Sequence, residues 1–169
     1  MTSSRRFALA AVFGSVIFLS KLFAPTPMKD SMIVVQALLL GLGALLLSPL
    51  GATLVATIGG LLTAAWTSQL AAFTVIFATG YGLLVDSLIW VFKARISDVE
   101  INARRFTLAI TVGTATIGLL AYGTTIALGL LPRNPVAEIF ILVGGILSGL
   151  FGGYLGVIVW RRAGRYFIA

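Results

Sequence analysis

Six long apolar stretches, separated by short breaks rich in Pro, Gly, Asn, Ser and Asp, leave this sequence few folds to adopt. A helix needs about 20 apolar residues to cross the roughly 30 Å hydrocarbon layer of a membrane, because each residue advances it by about 1.5 Å. Spans are predicted near residues 7–24, 31–48, 51–68, 71–92, 106–131 and 136–160. The first three are short, and cross only with snorkelling or local thinning of the bilayer. The breaks carry turn chemistry: Pro25, Pro27 and Asp30; Ser48, Pro49 and Gly51; Thr67, Ser68 and Gln69; Pro132, Asn134 and Pro135. Such tight connections make consecutive helices antiparallel neighbours. Strands are disfavoured, since the segments are continuously apolar with no alternation of two faces. The expected fold class is an all-α integral membrane protein, with residues 1–169 forming a single transmembrane domain of six helices.

Composition agrees. Only 10% of residues are charged and mean hydropathy is +1.09, against about 25% charged in an average soluble domain. The absence of Cys and His removes thiolate chemistry, disulfides and the commonest zinc sites. Five carboxylates remain (Asp30, Asp86, Asp98, Glu100 and Glu138), four of them near boundaries or in breaks, which gives poor support for a paired acid and base. No catalytic residue, metal site or cofactor is expected, and the chain is not expected to be an enzyme.

The net charge of +7 has a topological reading that involves no nucleic acid. Arg5, Arg6, Lys93, Arg95, Arg104, Arg105, Arg161, Arg162 and Arg165 fall on one side of a six-span layout, and Lys21, Lys29 and Arg133 on the other. The positive-inside rule puts the richer side, and with it both termini, in the cytoplasm of a cell-membrane protein. The first segment follows Arg5 and Arg6 as a signal peptide would, but it lacks a small-x-small cleavage site and runs into Pro25, so a retained span is expected. The longest polar run, KARISDVEINARR (residues 93–105), reads either as a short interfacial helix with Ile96, Val99 and Ile101 on its apolar face or as a solvated loop.

The last span is the most patterned. Gly145, Gly149 and Gly153 recur every four residues, beside a second row of Gly144, Ser148, Gly152 and Gly156. In lipid, where association gains nothing from burying apolar surface, such rows pack helices by close backbone contact. A shorter row, Ala10 and Gly14, lies on the first span and is suited to meeting another subunit. Asp86 falls about two thirds of the way through the fourth span, where a bare charge would cost several kcal/mol. It reads as a proton, cation or ligand site, or as a structural acceptor for Ser87, a Thr of the fifth span or a cytoplasmic Arg. Toward the outer side, Gln36, Trp66, Gln69, Tyr122, Thr125, Asn134 and Glu138 form a candidate substrate-binding set, joined by Lys29, Asp30, Thr74 and Arg133. Trp66 and Tyr122 also fit an interfacial aromatic belt. Phosphate-binding signatures are missing, so uphill transport would draw on an ion gradient or on another subunit.

This layout, with LSPLGATLVATIGGLLTA (residues 47–64) and GGILSGLFGGYLGVIVWRR (residues 144–162), resembles the substrate-binding S components of energy-coupling factor (ECF) vitamin transporters. The resemblance implies a protein that captures a vitamin or related small molecule from outside. Its partners would be a transmembrane coupling subunit, contacted through the Ala10 and Gly14 face, and a pair of ATPase subunits. It also implies an outward pocket covered by the loop at 25–30. Two other readings are a secondary transporter that uses Asp86 for ion coupling, and a non-catalytic accessory subunit of a larger membrane complex.

Overall fold

A computed structural model describes residues 3–23, 32–47, 49–66, 71–97 and 100–168. Pro25, Pro27, Lys29, Asp30, Ser48, Thr67, Ser68, Gln69, Asp98 and Val99 lie outside the described residues. Six helices follow one another: α1 (Ser3–Phe23), α2 (Ile33–Leu46), α3 (Gly51–Trp66), α4 (Ala71–Val91), α5 (Ala103–Ala127) and α6 (Pro135–Ile168). Among the described residues there is no strand, only an isolated antiparallel bridge between Arg95 and Ile101. Four helices, over Ser4–Phe23, Ala71–Val91, Ala103–Ala127 and Pro135–Arg162, are long and apolar enough to cross a membrane. Their outward surfaces display Ile76, Trp90 and Phe151, which suit contact with lipid.

The helix ends depart from the sequence expectation for local reasons. α5 starts at Ala103, ahead of the predicted 106, because the Asn102 side chain accepts the backbone N–H of Arg105 and caps the first turn. It stops at Ala127, short of the predicted 131, in a Schellman turn. There Gly129 takes a positive φ of 70°, its N–H bonds to the Ile126 carbonyl, and the Leu130 N–H bonds to Thr125. α4 ends in the same way with Lys93 in the left-handed position, at φ 48°. After that turn the described residues 93–97 and 100–102 form no helix. Their backbone folds back, with Asn102 donating to the Ala94 carbonyl and Ile96 to the Glu100 carbonyl. Ala94 is fully buried, while Ile96 is exposed.

Helices α2, α3, α4, α5 and α6 form a ring in the spatial order α3, α4, α5, α6, α2, and α1 lies outside it against α3. Arg5, Arg6, Lys93, Arg95, Arg104, Arg105, Arg161 and Arg162 gather at one end, called here the arginine-rich end.

The glycine rows of α6 work inside the chain. A Cβ on Gly145, Gly149 or Gly153 would stand 2.9, 2.5 or 3.0 Å from the Cα of Ala115, Thr111 or Thr107 respectively, a matching row of small residues on α5. From the second row, Gly152 meets Ala37 of α2, and Gly156 meets Phe106. One face of α6 therefore packs on α5 and the next on α2, which is the close approach that the repeat predicts. The α1 row also makes contacts inside the chain. Ala10 is fully buried, and a Cβ on Gly14 would come within 2.9 Å of the Gly59 backbone nitrogen on α3.

Candidate functional site

Helices α2 and α3 hold 14 and 16 residues, which at about 1.5 Å per residue gives lengths of roughly 21 and 24 Å, short of the hydrocarbon thickness. The ends of both helices at their hairpin present backbone groups with no partner inside the helix. Two side chains of opposite charge satisfy them. Leu50, preceding α3, has no capping oxygen, and Asp86 of α4 takes that role across the helix pair. Its Oδ1 accepts from the Ala52 N–H at 3.2 Å, and its Oδ2 accepts from the Thr53 N–H at 2.9 Å and the Thr53 hydroxyl at 2.7 Å. At the end of α2, the Arg6 guanidinium donates to the carbonyls of Leu47 and Pro49. An anion at a helix N-terminus and a cation near a C-terminus both oppose the local helix dipole favourably. Asp86 thus has a structural partner, but not one of those expected, since the Ser87 hydroxyl donates instead to the Leu83 carbonyl.

The buried core fills the arginine-rich half. Leu40, Val55, Val85, Phe106 and Ile110 are fully enclosed there, and the Phe106 ring seats against Gly41 and Gly156. In the opposite half the ring of helices opens into a cavity of about 640 Å³. Its walls come from the last turn of α1 (Lys21), the start of α2 (Ile33 and Gln36), the first half of α4, the second half of α5 and the first half of α6. The lining is mostly apolar, with Phe73, Phe77 and Phe140 among its residues, and Phe73 and Phe77 lie with ring centroids 4.3 Å apart. Tyr81 and Thr114 line it too, joined at 2.6 Å. Thr114 gives its proton to the Ile110 carbonyl at 2.7 Å, so Tyr81 is the donor of the pair. Gln36, Thr74 and Ser148 also line the cavity, and their side chains make no hydrogen bond to another described residue.

Of the residues expected to bind substrate, Gln36 lines the cavity. Trp66 does not, and is largely exposed, as an interfacial anchor would be. Gln69 lies outside the described residues. The remaining four close the α5–α6 connection. The Tyr122 hydroxyl accepts the Asn134 N–H at 3.0 Å and donates to the Asn134 carbonyl at 3.2 Å. The Asn134 side chain accepts the Val136 N–H at 2.9 Å, the Thr125 hydroxyl donates to the Tyr122 carbonyl, and Glu138 pairs with Arg133 at 3.0 Å. Asp86 is not among the cavity residues. Sequence reasoning left Lys21, Tyr81, Thr114 and Ser148 out of the site. The available signal was spacing, since Thr74 and Tyr81 are seven residues apart, as are Thr114 and Ala121, and Ile141 and Ser148, each pair on one helical stripe.

No protein-family model matches the chain, nor does any curated protein or solved structure.

Proposed function

We propose that this chain is the substrate-capture subunit of an ECF-type uptake transporter for a vitamin or related small molecule. In this reading all six helices cross the cell membrane, both termini are cytoplasmic, and the cavity faces outward. The chain performs no catalysis. Separate ATPase subunits supply the energy through a transmembrane coupling subunit.

The observation that carries the reading is the cavity of about 640 Å³. Small-molecule sites occupy roughly 300–1,000 Å³ and combine apolar walls with a few placed polar groups. Orientation is supported by the gathering of basic residues at the opposite end from the cavity. Because Ala10 and Gly14 are engaged with α3, the coupling subunit is assigned to the uncovered side of α1, where Ala8, Ala11 and Val12 are exposed. The ion-coupled alternative loses its main support, since Asp86 is held at the start of α3 and does not line the cavity.

The test is mass spectrometry of small molecules and proteins released from the gently purified complex. One vitamin-like compound in near-stoichiometric amount, together with ATPase subunits, is the expected result. An empty cavity in repeated preparations that carry redox or other enzyme subunits would replace this reading with that of an accessory subunit.

A further inference from the structure

Lys21 lies in the last turn of α1 and contributes to the cavity wall, half-buried. Among the described residues, no Asp or Glu lines the cavity and Lys21 has no ion-pair partner. The described acids are engaged elsewhere: Asp86 at the start of α3, Glu138 with Arg133, and Glu100 in the segment at the arginine-rich end. A cation against apolar walls is costly unless an anion or hydrogen-bond acceptors face it. Gln36, one turn into α2, lines the same cavity and adds an amide with no hydrogen bond to a described residue. Ser148, on α6 and nearly buried, also has a hydroxyl without a described partner.

From these placements we propose that the cavity takes a monoanionic amphipathic small molecule. Its carboxylate or equivalent anion pairs with Lys21 and Gln36, its apolar or aromatic body packs on Phe73, Phe77 and Phe140, and a polar group reaches Ser148. This deepens the capture reading and rests on it. The chemistry is shared by soluble organic acids and by anionic lipids, and the test separates the two sources.

Matched carboxylate, primary-amide and amine probes built on pyrene, naphthalene and decyl bodies are titrated against the full chain in phosphatidylcholine nanodiscs, with empty discs as reference. The expected result is at least a tenfold preference for the carboxylate. That preference disappears in Lys21→Met and persists in Lys21→Arg, and unfolding midpoints verify that both variants fold. Discs containing phosphatidylglycerol distinguish the sources: competition that depends on Lys21 assigns the anion to lipid, and its absence assigns it to a soluble acid. Equal binding of carboxylate and amide, or a preference that survives Lys21→Met, overturns anion recognition and leaves capture standing. If no probe of any charge binds beyond empty discs, capture by this cavity falls as well.

Discussion

Asp86 accepts three hydrogen bonds from the first turn of α3, and Asp86→Ala removes all three while leaving their donors in a place water hardly reaches. Hydrogen bonds between membrane helices are worth about 0.6 kcal/mol on average and up to about 1.7, and loss of an N-cap costs about 1 kcal/mol. With three bonds lost together, destabilisation of about 2–4 kcal/mol is expected for Asp86→Ala. Asp86→Asn keeps one acceptor oxygen but turns an amide donor toward backbone donors, so about 1–2 kcal/mol is expected. Equilibrium unfolding in mixed detergent and SDS micelles measures both. Because Asp86 is not a cavity residue, affinity for a captured solute should stay within about twofold in Asp86→Asn, each tenfold being worth 1.4 kcal/mol. The reasoning is refuted if Asp86→Asn unfolds like the wild type yet loses solute binding or proton-linked uptake. That pattern would make the carboxylate a working group and not a cap.

Four further outcomes are expected. Gly149→Leu drives side-chain atoms into the Thr111 backbone and should prevent stable packing of α5 on α6. Gly144→Leu, whose Cβ meets nothing within 4 Å, should fold normally and abolish solute binding by filling the cavity, as thermal unfolding and a binding assay would show. Arg6→Gln should cost about 1–3 kcal/mol through the lost charged hydrogen bonds to Leu47 and Pro49, whereas Arg5→Gln, at an exposed position, should stay within about 0.5 kcal/mol in the same SDS titration. Since the chain has no Cys, Glu100→Cys and Leu130→Cys report topology directly. An impermeant maleimide should label residue 130 on intact cells and residue 100 only after permeabilisation, and the reverse pattern would invert the orientation.

The helices were legible in the sequence because apolar length and turn residues are local properties. The α6 glycine rows were legible for the same reason: a four-residue repeat specifies a smooth face whatever packs on it, and the structure supplies α5 and α2. Partners across helices were not legible. Asp86 stands next to Ser87 in sequence, but its acceptors are used by Ala52 and Thr53, more than thirty positions away. Tyr122, Asn134 and Glu138 looked like an outer binding set because polar residues near a span end serve turns and pockets alike. Here the Asn134 cap and the Tyr122 bond bind them to the α5–α6 turn. Lys21 carried no site signal in the sequence, since only the arrangement of five helices shows that it borders a cavity.

The two halves of the protein treat polar groups differently, and under the proposed capture function that contrast suits one of them to a ligand. Near the arginine-rich end, the short α2–α3 hairpin would be untenable without Asp86 and Arg6. The hydroxyls of the α3–α4 seam are satisfied as well, Thr53 by Asp86 and Thr57 by the Thr53 carbonyl and Thr79. These bonds tie α1, α2, α3 and α4 together at that end, although the buried Arg6 Nε has no partner among the described residues. In the other half, Gln36, Thr74 and Ser148 have no hydrogen bond to a described residue, and Lys21 has no ionic partner among them. Inside a membrane an unsatisfied polar group costs free energy and is kept where water or a ligand can complete it. Under the proposed capture function, close packing at the arginine-rich end steadies the α4, α5 and α6 walls, so that binding would lose less to side-chain ordering.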